Sequence, residues 1–449
     1  MGAPGAQPGP GGDRLGLDAA ARGKARVVTA RGGCSRGPVG IRGTALAARL
    51  HHRRHKTVLR LMHTADVHLG ARHADMGEAA VTQRERQFAA FRDSIDVALA
   101  ERVDLVLVAG DLFDSNVQPR RSVDRVAAQL ARLVQARTRA VLIPGTHDVY
   151  DRASIYRAYD IPEMAGSGSA TGLVTLLTPE RPWLHIEALD AVIHGQVFAT
   201  KRAPYSPLRD LPAAIAATPS ATWHIGLLHA AVAIPGKVEQ DEVIITTGEI
   251  AASGLDYLAL GHWHSAQRGR AGSVTFAYSG APESVAVDQD RAGKVLLVTL
   301  DERDGRKTVD LEERVVGQTR FDRLDIDAGS VASQPDLIAK LTARADADLV
   351  LDVRLTGVRP DELDLAFTEI ADALRGAFLR LRLRDASVTA PPAGPLPPSE
   401  TVAGAFLRDV GGRITALETT GRGETLEAAE LREALRLGRM LLAGHEVTL

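Results

Sequence analysis

The sequence holds one cysteine, Cys34, in 449 residues. A lone thiol closes no internal disulfide, and there is no set of cysteines to hold zinc or an iron–sulfur cluster, so a reducing compartment, the cytoplasm, fits. An excess of one charge is lacking too. Lys and Arg number 54 against 56 Asp and Glu, a net charge of −2, without the overall basic character of a nucleic-acid coat protein, so any nucleic-acid contact must be local. No apolar run approaches the roughly 18 residues that a membrane helix needs, and a soluble chain with no membrane partner is expected. What is present is length and ordinary composition. At about 100–200 residues per domain the chain makes two to four domains. Its 45% hydrophobic and 24% charged residues argue against global disorder and against a fibrous repeat.

Residues 1–56 stand apart: nine Arg and two Lys face only Asp13 and Asp18, among many Gly and several Pro. Without periodic apolar positions to offset chain entropy, they read as a disordered Gly/Arg-rich extension, either dispensable or a DNA-binding arm. From Val58 the chain turns to short runs of Val, Leu and Ile at residues 58–62, 105–109, 140–143, 191–193, 224–228 and 257–260. Such continuous runs suit strands covered on both faces. Between them, Phe88, Phe91, Ile95 and Leu99, then Val123, Val126, Leu130, Leu133 and Val134, recur at helical spacing. The texture predicts an α/β domain over residues 57–318. Residues 319–388 then alternate strand (321–326), helix (337–343), strand (349–355), helix (363–374) and strand (379–383), a small α+β domain. Pro391, Pro392, Pro395, Pro397 and Pro398 make residues 389–400 an extended, semi-rigid linker. Residues 401–449 hold two amphipathic helical stretches. The apolar stripe of the last, with Leu426, Leu431, Leu435 and Leu442, belongs either to a hairpin packed on itself or to a docking surface for another protein.

The polar chemistry sits where the apolar runs end, and in open α/β sheets ligands bind outside the carboxyl ends of strands. The first run leads into His63-Thr64-Ala65-Asp66-Val67-His68, where Asp66 and His68, two apart on extended chain, project to one side. The second leads into Gly110-Asp111-Leu112-Phe113-Asp114. Its glycine lets the backbone turn sharply and presents Asp111 at the strand tip, although Asp111 alone could equally be a helix N-cap. Pro144-Gly145-Thr146-His147-Asp148 follows the third, a turn in which a carboxylate flanks a histidine and can orient it. Later runs deliver His229 and Gly261-His262-Trp263-His264. Singly, each histidine is more often a satisfied structural residue than a ligand. Together they form an oxygen and imidazole donor set that suits Mn²⁺, Fe²⁺ or Zn²⁺ better than Ca²⁺ or Mg²⁺. Asp111 is the natural bridge, since a carboxylate can share its charge between two cations about 3.5–4 Å apart.

In order and spacing these motifs resemble the calcineurin-like metallophosphoesterase superfamily. More narrowly, residues 63–70, Leu258-Ala259-Leu260-Gly261-His262-Trp263-His264 and Tyr278-Ser279-Gly280-Ala281-Pro282-Glu283 look like its SbcD-type DNA repair exonuclease branch. The resemblance implies a metallophosphoesterase core of mixed β-sheets flanked by helices, with residues 319–388 in the place of that branch's capping domain. It implies two divalent metal ions, Mn²⁺ foremost, one held by Asp66, His68, Asp111 and His264 and the other by Asp111, Thr146, His229 and His262. Asp114 and Asp148 would fix neighbouring ligands. His147, not itself a ligand, would contact the scissile phosphate and help the leaving oxygen depart. One departure stands out: the family has Asn where this chain has Thr146. An amide carbonyl reaches further and is a better neutral donor than a hydroxyl, so the second metal is expected to bind more weakly or to gain a water.

The activity so implied is two-metal hydrolysis of DNA phosphodiesters. The resemblance also implies a coiled-coil ATPase partner of the SbcC type, bound through the helices after the cap, and a homodimer through helices near residues 88–99 and 123–134. Arg72, Arg84, Arg86, Arg120, Arg121 and Arg152 lie near the motifs and could contact a phosphate backbone, although arginine on a helix face is usually only solvated. Two other readings stay open on the sequence: a small-molecule phosphoesterase, and a DNA-binding scaffold in which Thr146 marks a degenerate site.

Overall fold

The computed structural model describes residues 58–448 apart from residues 169–171, 239, 288, 290, 361 and 390–394. The Arg-rich extension with Cys34, and Pro391 and Pro392 of the expected linker, therefore lie outside the described residues.

Strands β1 (Val58–Thr64), β2 (Leu105–Ala109), β3 (Arg139–Ile143) and β4 (Val174–Leu176) run parallel to one another. The next segment builds a second sheet. It comprises β5 (Trp183–Ile186), β6 (Ala191–His194), β7 (Trp223–His229) and, beyond the short pair β8 (Ala231–Val232) and β9 (Ile244–Ile245), β10 (Tyr257–Gly261), β11 (Gln267–Ala271) and β12 (Val274–Tyr278). Their order is β11-β12-β10-β7-β6-β5. The chain then returns with the hairpin β13 (Lys294–Arg303) and β14 (Arg306–Val315), which pairs antiparallel with β1 and completes the order β14-β13-β1-β2-β3-β4.

Alternation decides which layer each side chain joins. Leu59, Leu61, Leu105 and Leu107 of the first sheet meet Trp223, Ile225, Leu227 and Tyr257 of the second in one buried layer. The intervening Met62, Val106 and Val108 face helices α1 (Ala80–Ala100) and α2 (Arg120–Gln135). Phe88, Phe91, Ile95, Val123, Val126, Leu130 and Leu133 of those helices all turn into this core, so the apolar positions read there from the sequence are interior. On the far side, Leu228, Leu258 and Leu260 pack with Ile250 and Val274. The central strands of both sheets are thus covered on both faces, which is why they read as continuous apolar runs. Because β1, β2 and β3 are parallel, and β7 and β10 likewise, the carboxyl ends of each set fall at one edge. The two edges meet: the ring Nδ1 of His229 lies 2.9 Å from the carbonyl of Ala109.

A three-stranded parallel sheet of Arg320–Asp327, Asp346–Thr356 and Phe378–Asp385 packs with helices Gln334–Thr342 and Phe367–Ala373 around its own core. The second helix starts at Phe367, not at residue 363 as its apolar pattern suggested. Leu363 and Leu365 are both buried, a spacing of two that suits irregular extended chain rather than a helix face. Helices Val402–Thr419 and Leu426–Leu442 close on each other through Val410, Ile414, Leu417 and Leu431, while Val402, Leu426, Leu441 and Leu442 stay exposed.

Entry into the α+β unit is clasped by Glu283. Its side chain is buried, with 2% of the residue exposed, and its carboxylate accepts from the backbone N–H groups of Gln318 (3.1 Å) and Thr319 (2.7 Å). The Thr319 hydroxyl donates to Gln83 (2.8 Å), and Arg86 pairs with Asp348 across the same junction. Replacing Glu283 by Ala strands the buried Thr319 N–H, worth about 1–3 kcal/mol when left unsatisfied, while the Gln318 N–H at the partly exposed end turns to water. Glu283→Ala is expected to lower the urea midpoint by a matching amount and to speed proteolysis near residues 316–320; an unchanged midpoint would contradict the clasp.

Candidate metal centre

Asp66, His68, Asp111 and His262 all take positive φ, at 54°, 49°, 49° and 103°. Residues with a Cβ avoid this region, at a cost of order 1–3 kcal/mol each, and hold it only where neighbours dictate it. Here the loops after β1 and β2 dictate it by bonding to each other: Asp66 N–H donates to the carbonyl of Gly110 (3.1 Å) and His68 N–H to that of Asp111 (3.0 Å). From α1, the amide of Gln87 donates to the carbonyls of Val67 (3.3 Å) and His68 (3.2 Å). Two glycines make the close approach feasible. A Cβ on Gly110, itself at φ +89°, would lie 2.5 Å from His229 Nδ1, and one on Gly145 would lie 2.2 Å from Asp111 Oδ1.

The side chains so placed converge. Nε2 of His68 and Nε2 of His264 face each other at 3.1 Å, and His68 Nε2 is 3.7 Å from Asp111 Oδ2. Asp66, His68 and His264 offer donor atoms all within 4.8 Å of one another, as do Asp66, Asp111 and His229, and as do His68, Asp114 and His147. His229 donates Nδ1–H to the Ala109 carbonyl. Its buried Nε2 stands 3.2 Å from Asp111 Oδ2 without a hydrogen-bond partner. A buried imidazole nitrogen beside two carboxylates is a donor set that suits a divalent cation once the ring gives up its proton, so these residues fit one.

Electrostatics points the same way. Burial opposes charge on His229, but Asp111 and Asp66 outweigh it and raise its pKa to about 10. For His68 too, burial is overcome by Asp114, Asp111 and Asp66, and its pKa rises. Asp111 is held below the carboxylate range: burial pushes it up, and His229, His68 and His147 more than reverse that. Burial and the neighbouring charge of Asp111 raise Asp148. Asp148 ties three pieces together, accepting from Gly145 N–H (2.7 Å), Phe113 N–H (3.1 Å) and the Tyr156 hydroxyl (2.6 Å).

Of the residues singled out in the sequence, Asp66, His68, Asp111, Asp114, His147, His229 and His264 meet in these clusters. Thr146 is buried beside them, following Gly145. The ring of His262 packs edge-on against His229, with centroids 5.2 Å apart, and its backbone N–H donates to both oxygens of Asp66 (2.9 and 3.1 Å). It joins none of the three donor groups among the described residues. Sequence reasoning missed Gln87, Tyr156, Gln289, whose amide lies 2.6 Å from His264 Nδ1, and Asp241, 3.0 Å from His262 Nε2. None of them carries a motif; helical or loop position alone brings each to the site.

Residues 59–266, a little under half of the chain, match the calcineurin-like phosphoesterase family, a metallophosphoesterase class. The particular relatives are remote. An uncharacterized metallophosphoesterase, YhaO of Bacillus subtilis, is 28% identical over 218 residues, 47% of this chain and 50% of its own. The DNA double-strand break repair protein Mre11 of Aeropyrum pernix is 27% identical over 283 residues, 61% of this chain and 65% of its own. A component of the nuclease SbcCD of Rhodobacter capsulatus is 39% identical over 98 residues, 21% of this chain and 22% of its own. The matched stretches thus span less than two thirds of each relative's length.

With its pKa raised to about 10, His229 is protonated at pH 7 in the metal-free state, so a cation that binds through it must displace that proton. Manganese uptake at pH 7 is expected to release protons, and its apparent affinity to rise with pH until His229 deprotonates near its pKa of about 10. Linkage fixes a second sign: a histidine raised from 6.5 stabilises the metal-free fold fully below pH 6.5, and that contribution fades as pH climbs through about 10. Calorimetric titration in two buffers of different ionisation enthalpy checks the first point; identical heats would count against it.

Proposed function

We propose that this protein is a two-metal phosphodiesterase acting on DNA, an exonuclease subunit of the SbcD type. The observation that carries the reading is the convergence of Asp66, Asp111 and three histidines on shared donor positions at one sheet edge. One cation would be held by Asp66, His68, Asp111 and His264, and the other by Asp111, Thr146, His229 and His262, with Mn²⁺ the metal that best suits the mixed donors. Such a pair supplies charge neutralisation for phosphate oxygens and an activated water. The chain's own residues do the rest. Asp111, kept ionised by its surroundings, would serve both ions. Asp148 and Tyr156 fix the turn that carries Thr146 and His147.

His147 is the group for the leaving oxygen. Its side chain is 44% exposed, open enough to meet a substrate, and packs edge-on against His68 with centroids 4.6 Å apart. Its Nδ1 donates to the Asp114 carbonyl (3.0 Å), and the charged ring then has an Nε2–H with which to stabilise or protonate the departing sugar oxygen.

A polymer substrate is favoured by a groove of about 640 Å³ that begins at Gly70, two residues past His68, and is lined by Arg72, Arg84 and Arg121, with Arg125 held there by Glu85 of the same wall. Arginines so placed hold a phosphate backbone without reading bases. The roles that the Mre11 and SbcCD relatives are named for support the same substrate. A cytoplasmic location, a homodimer, and docking of an SbcC-type coiled-coil ATPase on the exposed leucines of the C-terminal hairpin complete the proposal.

With Mn²⁺, the purified protein is expected to release nucleotides from linear duplex DNA, and a chelator to abolish the release. Cleavage of only a small chromogenic phosphodiester would shift the substrate to small esters, and inertness toward both would leave a scaffold. His147→Ala is expected to lower kcat by about 10²–10⁴-fold while bound metal stays unchanged; equal loss of metal would refute its role.

A further inference from the structure

We infer that Asp241 is a positioning residue for the second cation, acting through His262; this rests on the two-metal reading above. Three contacts hold His262: its N–H to the Asp66 carboxylate, its ring edge-on to His229, and its Nε2 at 3.0 Å from Asp241 Oδ2. A carboxylate oxygen at this distance accepts from an N–H at Nε2, which leaves Nδ1 as the nitrogen whose lone pair can be offered to a metal. A histidine ligand needs that division, with one nitrogen pinned by an acceptor and the other free for the metal.

Asp241 is itself fixed. Its Oδ1 accepts from Glu242 N–H (2.6 Å), the Glu242 carbonyl accepts from Ala203 N–H (2.8 Å), and the Glu242 carboxylate pairs with Lys201 (2.9 Å). Just beyond, Ala231 N–H donates to the Val243 carbonyl (2.8 Å). With side chains 22% and 18% exposed, Asp241 and His262 are partly shielded from water. Thr146 sharpens the dependence. A hydroxyl is a weaker neutral donor than an amide carbonyl, so a misoriented His262 would leave the second cation resting chiefly on Asp111 and His229. The first cation, on Asp66, His68, Asp111 and His264, makes no use of Asp241.

The test titrates the full chain and its Asp241→Ala and Asp241→Asn variants with Mn²⁺, reading stoichiometry by calorimetry and spin coupling by electron paramagnetic resonance. The unaltered chain should take two ions as a coupled pair. Asp241→Ala should keep one ion at unchanged affinity, bind the second about 10–100-fold more weakly, and show a mononuclear spectrum at low loading. Asp241→Asn should fall between, since its amide oxygen accepts the same proton without the charge. Unchanged binding of both ions in both variants would overturn the inference, as would equal weakening of both ions, which marks a merely structural residue. An unaltered chain that takes up no Mn²⁺ would overturn the two-metal reading and this inference with it.

Discussion

Two carboxylates, Asp66 and Asp111, are buried side by side where the edges of two sheets meet, and like charges out of water demand cations. Much of the local architecture answers that demand. His229 supplies positive charge in the metal-free state and a ligand lone pair once its proton is displaced, and the same carboxylates favour charge on His68. The backbone N–H groups of His262 and His147 donate to Asp66 and Asp111. Glycines at 110 and 145 stand where any side chain would strike the ligands.

The strain that gathers these groups is local, and its support is distributed. Positive φ at four of the site residues would relax if the loops could separate. They cannot, because β1 and β2 are fixed in parallel register and buried on both faces. Asp148, Tyr156 and Gln87 then hold the loops from the outer side. The sandwich stores the geometry that the site needs, and the α+β unit, clasped through Glu283, Thr319 and Arg86, is joined to that same body.

Much of this was legible in the sequence because burial on both faces writes itself as unbroken apolar runs, and because parallel strands align the residues that follow them. The strands of residues 58–62, 105–109, 140–143, 224–228 and 257–260, and the Asp and His after each, could be read on that ground. The run at Val295–Leu300 in β13 carries that same signature and was passed over, whereas its hairpin partner β14 could not be read. That outer strand alternates charged residues and is largely exposed, so it lacks the two-sided apolar signature. Asp241 and Gln289 were invisible for another reason: a polar residue in an irregular loop acquires a partner only through tertiary placement, and no period in the sequence encodes that. The helix expected at residue 363 fails because Leu363 and Leu365 bury in a segment that precedes the helix, and spacing alone does not separate the two.

Two cations sharing Asp111 are the central claim. Crystals grown with Mn²⁺ and measured at the manganese edge test it most directly, since anomalous scattering locates the ions without reference to activity. Two peaks are predicted, one among Asp66, His68 and His264 and one beside His229 and His262, with the Asp111 carboxylate between them. A single peak, or peaks remote from Asp111, would contradict it.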